Sequence, residues 1–92
     1  MFRKKRGIHI DYPEQGLIYF TCLTYGSQSE RVKKRIRKVC EKVGGGYAEA
    51  LFEFITTEKS ATEIALRNYV SESTLYDLRR KFYHAFFDLT KK

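Results

Sequence analysis

The side chains whose types and spacing carry the most chemistry lie between Lys59 and Lys81. That chemistry is recognition rather than bond making. Glu72, Ser73, Tyr76, Asp77 and Arg80 share one face of an expected helix. Their hydroxyl, phenol, carboxylate and guanidinium groups are the kinds that hydrogen-bond to base edges in a DNA groove. Arg80 matches the paired acceptors of a guanine, and Glu72 or Asp77 can accept from a cytosine amine. Two acids on such a face also repel phosphates, so its contacts must be selective. Arg79, Lys81, Lys59 and Arg67 are the neighbouring cations for phosphate contacts. The basic run Arg3, Lys4, Lys5 and Arg6 could add an arm lying in a minor groove or along phosphates.

These groups need two short helices and a tight turn to hold them. Ser60 followed by Glu63 is a capping box, and Ser71 is the N-cap oxygen of a second helix. Ala65 is small enough for two helices to cross there. Val70 before the cap and Leu75 after it form a hydrophobic staple. Leu75, Leu78, Phe82, Phe86 and Leu89 recur at intervals of three and four and make one apolar stripe. Tyr83 and Phe87 lie off that stripe, either as a sticky patch for a partner or as a wider buried face.

The rest of the chain also reads as helical. Pro13 suits a first helical turn. The run Leu17–Tyr25 is rich in β-branched and aromatic residues, so it could be a strand paired with Ile8–Ile10, or a helix over 13–26 ending at Gly26; the helix is preferred. Ser27 and Glu30 form a second capping-box pattern. Val32, Ile36, Val39, Cys40 and Val43 then define an amphipathic helix that Gly44 ends. Its outer face holds Arg31, Lys33, Lys34, Arg35, Arg37 and Lys38, which suit either phosphate contact or plain solvation. Residues 47–57 are apolar almost all round, as in a buried central helix. Gly44–Gly46 lacks the strand, the Lys-Ser/Thr pair and the spacing of a phosphate loop.

The expected fold is all-α, with about five helices, the last three forming a trihelical helix-turn-helix unit. Residues 1–12 are read as a basic N-terminal arm. Residues 13–92 are read as a single helical domain with the helix-turn-helix at about 60–88. The chain has 92 residues, 42% of them hydrophobic, and a formal net charge of +7, which favours a polyanionic partner. No paired carboxylates, Cys-His or Ser-His-Asp arrangement suggests an enzyme. Cys22 and Cys40, with the distant His9 and His84, lack metal-ligand spacing, so neither metal nor cofactor is expected. Both thiols fall on apolar helix faces and suit a reducing cytoplasm. No apolar run is long enough for a membrane span, and no signal peptide is evident.

Residues 47–89 resemble region 4 of the sigma-70 type factors. Glu63-Ile-Ala65 and Val70-Ser-Glu-Ser-Thr-Leu75 look like that family's Glu-Ile-Ala … Val-Ser-x-x-Thr-Val pattern. The whole chain looks like small regulators of phages and mobile elements of the ArpU/RinA type. This impression rests on Tyr19–Cys22, Val43–Gly45 with Ala50–Glu53, and Ser71–Tyr76. One departure is Tyr69, which stands at the turn position usually held by Gly. Either Tyr69 takes the left-handed conformation, or Asn68 does and the turn shifts by one residue.

The resemblance implies a sequence-specific transcriptional regulator of double-stranded DNA, reading the major groove with the helix at about 71–88. RNA polymerase and a second copy of the chain are further expected partners, since a single unit of this size binds weakly. Two alternatives use the same residues. One is a DNA-packaging protein like the small subunit of a phage terminase, or a recombination protein. The other is a protein–protein adaptor without DNA binding.

Overall fold

A computed structural model describes residue 5 and residues 7–90. Arg3, Lys4 and Arg6 lie outside the described residues. The described chain is all-helical, without strands. Its α-helices are α1 (Tyr12–Leu23), α2 (Glu30–Gly44), α3 (Ala48–Thr56), α4 (Ala61–Asn68) and α5 (Glu72–Thr90). Short 3₁₀ turns at Tyr25–Ser27 and Gly45–Tyr47 join α1 to α2 and α2 to α3. No helix among the described residues is long and apolar enough to cross a membrane.

α1 begins as its sequence suggests, with Pro13 in the first turn. It ends at Leu23 rather than Gly26. The Thr24 hydroxyl donates back to the Phe20 carbonyl at 2.6 Å. The Gln28 amide donates to the Thr21 carbonyl at 3.3 Å and to the Thr24 hydroxyl at 2.9 Å. The Phe20 carbonyl also accepts the Thr24 N–H at 3.0 Å, and the Gln28 amide supplies a partner at the Thr21 carbonyl, so no glycine is needed there. The second capping pattern is also displaced. Ser29, not Ser27, caps α2, its hydroxyl accepting from the Val32 N–H at 3.3 Å. At the other end Gly45, not Gly44, takes the positive φ of 52°. Gly44 is buried against Leu51, where an added Cβ would meet a methyl at an ordinary contact distance of 3.4 Å.

Two apolar clusters follow. The larger joins Ile8, Ile10, Ile18, Cys22, Ile36, Val39, Cys40, Leu51, Ile55, Leu78, Phe82, Tyr83 and Phe86. The smaller joins Ala50, Phe54, Ala61, Ile64, Ala65, Val70 and Leu75. Tyr83 is therefore core, and the half-buried Phe87 packs on the same cluster; a sticky patch at these two residues is ruled out. Leu89 belongs to neither cluster and is exposed, because the stripe outruns the helices packed on α5. Both cysteines are buried and free. Burial pushes the Cys40 thiol up to about 12, and the Cys22 thiol further in the same direction.

Residues 1–12 do not all form an arm. Ile8 and Ile10 lie in the larger cluster, and the segment between Gly7 and Asp11 runs against α1 and α5 without regular structure. It is held by Gln15, a fully buried amide. Gln15 Nε2 donates to the Ile8 carbonyl at 3.1 Å and the Ile10 carbonyl at 2.9 Å, and Oε1 accepts from the Lys5 N–H at 2.8 Å. The amide thus satisfies a stretch of backbone that has no helix or ladder of its own. Gln15→Leu keeps the volume and removes all three bonds. It should cost about 2–3 kcal/mol in urea unfolding, and hydrogen exchange at residues 7–11 should accelerate more than that of α4. Unchanged protection of residues 7–11 would show that apolar contacts alone hold the segment.

Candidate nucleic-acid interface

The surface around α4 and the first half of α5 is assembled by local chemistry. The Ser60 hydroxyl accepts from the Glu63 N–H at 3.1 Å and starts α4. The Ser71 hydroxyl accepts from the Thr74 N–H at 3.1 Å and starts α5. Val70 and Leu75 are buried in one cluster with Ile64 and Ala65, as a staple requires. Between the caps, Tyr69 has φ 53° and ψ 45° and is the left-handed residue. Asn68 stays helical, its amide donating to the Ile64 carbonyl at 2.9 Å. The N–H groups of Tyr69 and Val70 both donate to the Ala65 carbonyl. The turn is therefore not shifted to Asn68. The Tyr69 side chain is 94% exposed, so no packing offsets the strain of its backbone.

Glu72, Ser73, Tyr76 and Arg80 are exposed on α5, with Asp77 half-buried among them. They share one side of the helix, but each is already engaged with neighbours. The Thr62 hydroxyl donates to Glu72 at 3.1 Å, tying α4 to α5 across the turn. Asp77 accepts from Arg80 and pairs with Lys81 at 3.2 Å. The Arg80 hydrogen bond, seconded by Lys81, holds the Asp77 carboxyl below its usual range. The Tyr76 ring meets Phe54 edge-on at 5.7 Å, leaving its outer part in solvent. A ligand here would compete with an aspartate for Arg80.

The expected phosphate contacts divide. Lys59 and Arg67 both reach Glu53, Lys59 at 2.8 Å. The Lys59 hydrogen bond, with Arg67 beside it, holds the Glu53 carboxyl low. Lys5 lies half-buried, its ammonium 4.9 Å from the Tyr19 ring centroid. Burial and the nearby charge of Arg79 lower its pKa. Arg79 does not project outward as expected but lies half-buried against α3. Its guanidinium lies 4.8 Å from the Phe54 ring centroid and 5.0 Å from that of Tyr76. Its Nε is buried without a hydrogen-bond partner, and burial lowers its pKa. The reason is helical phase: Arg79 follows Leu75 by four residues and so turns toward α3 rather than outward.

Other residues beside this face carry no motif signal. Gly7, His9, Arg80, Lys81 and His84 line a cavity of about 320 Å³. The His9 N–H points to His84 Nε2 at 3.4 Å, setting the N-terminal segment against the outer side of α5. His84, one turn past Arg80, could have been placed there from helical spacing; His9 could not. Leu66 and Tyr69 are strongly exposed near the turn. No protein-family model matches the chain. Nor does any curated protein or solved structure match it.

Two outcomes test this geometry. Tyr69→Gly removes left-handed strain of about 1–2 kcal/mol and adds part of that in unfolded-state entropy. The net should be a rise in the urea midpoint worth up to about 1 kcal/mol; a fall would mean that the exposed ring stabilises the fold. Arg79→Ala removes two ring contacts and a packed aliphatic stem. It should lower stability by about 1–3 kcal/mol yet leave duplex affinity unchanged well below the melting temperature. Arg79→Lys should restore little, since a compact ammonium lacks the planar guanidinium that stacks on ring faces.

Proposed function

We propose that the protein is a sequence-specific DNA-binding transcriptional regulator, not an enzyme, with α3–α5 acting as a sigma-region-4-like helix-turn-helix unit. One observation carries the reading. Two capped helices meet through a left-handed turn residue over a shared cluster, and the first half of α5 presents Ser73, Tyr76 and Arg80 to solvent. That arrangement suits insertion of α5 into a major groove. The Glu72–Thr62 bond fixes α4 relative to that helix.

In this reading Ser73, Tyr76 and Arg80 meet base edges, with Asp77 orienting Arg80 when no guanine is present. Lys81 lies nearest the flanking phosphates. A single face of this size calls for help, so a second copy on a two-part site, or RNA polymerase, supplies further contacts. Free, buried thiols suit a reducing cytoplasm. The net charge of +7 favours approach to a polyanion.

The test is selection of a preferred duplex from a random pool, followed by anisotropy on the selected and scrambled sites. Tyr76→Ala/Arg80→Ala should weaken binding to the selected site by roughly tenfold or more, as expected for removal of base contacts worth about 1–3 kcal/mol. Binding to the scrambled site should change far less. Failure of the wild type to select any sequence would overturn the regulator reading and favour the adaptor.

A further inference from the structure

Most of the ion pairs among the described residues surround Glu53 and Asp77. The opposite situation holds on α2. Lys33 pairs with Glu30, and Arg37 pairs with Glu49 and lies over the Phe52 ring. Arg31, Lys34, Arg35, Lys38 and Lys42 are in no ion pair or ring contact. They rim a groove of about 580 Å³ between α2 and α5, floored by Val39, Ala85 and Leu89. Spacings of three and four residues set these like charges beside one another, which weakens a free helix. A polyanion along the groove removes that repulsion.

We propose that the α2–α5 groove is a second, sequence-blind site for nucleic-acid backbone, by which one protomer holds a second duplex segment. The proposal rests on the reading of α5 as a DNA-facing helix. From Arg31 to Lys42 the helix rises about 16 Å. A duplex presents about five phosphates per strand over that length, one per 3.4 Å of axis, against five unpaired cations. The floor holds no aromatic ring, and the apolar residues of α2 face the core. The surface is therefore poorly built to insert into a bilayer.

The two sites face different ways. Ala85 follows Arg80 by five residues, a rotation of about 140° around α5. A straight duplex lying on Ser73–Arg80 passes clear of the groove. Simultaneous occupancy needs two duplexes or one that bends around the protein.

The experiment uses the full chain, a bead-bound duplex with the selected site and a free fluorescent duplex of random sequence. Wild type should retain the fluorescent duplex on the beads. Arg31→Gln/Lys34→Gln/Lys38→Gln/Lys42→Gln should still prefer the selected site but retain almost none of the second duplex. Its salt dependence for random duplex should flatten by about 0.9 for each phosphate it no longer neutralises. Circular dichroism should show it folded. Retention unchanged in this variant, as a dimer bridging through two α5 helices would give, overturns the proposal. So does wild type that binds phosphatidylglycerol vesicles but captures no second duplex. Failure of the α5 reading registers separately, as site preference unchanged by Tyr76→Ala/Arg80→Ala.

Discussion

The structure depends on α5 being one unbroken helix that serves two clusters at once. Leu75 fills the smaller cluster, while Leu78, Phe82, Tyr83 and Phe86 fill the larger. Phe82 and Phe86 stack at 5.5 Å with their planes 17° apart. The orientation of the helix is thus set at both ends by burial. Near the seam, Arg79 packs against both Phe54 of α3 and Tyr76 of its own helix, whose rings also meet each other. A cation there is tolerated because ring faces replace part of its hydration. The result is a post whose outer side takes little part in either cluster.

Charge is divided in a way that follows from this. Two acids near α5 each hold two cations: Glu53 holds Lys59 and Arg67, and Asp77 holds Arg80 and Lys81. These are exposed or half-exposed pairs, worth little for stability, but they cancel field locally. The surplus of the chain collects on α2, where few acids answer it. If both surfaces meet nucleic acid as proposed, attraction at a distance and discrimination at contact fall to different ones. A face with Glu72 and Asp77 on it attracts phosphate poorly, and a helix of bare lysines and arginines reads no sequence.

What the sequence shows and what it hides divide by range. The all-helical class, the caps Ser60 and Ser71, the Val70–Leu75 contact and the buried face of α2 rest on residues within a turn or two of each other. Periodicity exposes such features. Tyr83 joins the larger cluster, whereas Leu89 only floors an open groove beside α2; both depend on partners far along the chain. Gln15 gives no sign in sequence that it fastens Ile8 and Ile10. Arg79 reads as one of three adjacent cations, yet a shift of 100° along a helix separates an exposed cation from one packed on aromatic rings. Ser27 and Ser29 are equally good caps on paper. In the structure Ser27 ends the 3₁₀ turn that follows α1, and Ser29 is left as the extended residue before α2.

The separation of scaffold from surface has a consequence for how such a protein can change. Ser73, Tyr76 and Arg80 make no contact on which either cluster depends, apart from the edge of Tyr76 on Phe54. Exposed helical positions of this kind tolerate substitution at small cost. The turn is less free. Its angle rests on Val70, Leu75 and a left-handed residue that a tyrosine accepts only under strain. Alterations to the face would leave the post standing, whereas alterations to the turn would tilt α5 and misplace every side chain on it together. If the face reads sequence, preference can drift residue by residue on α5 while α4 and the turn stay fixed.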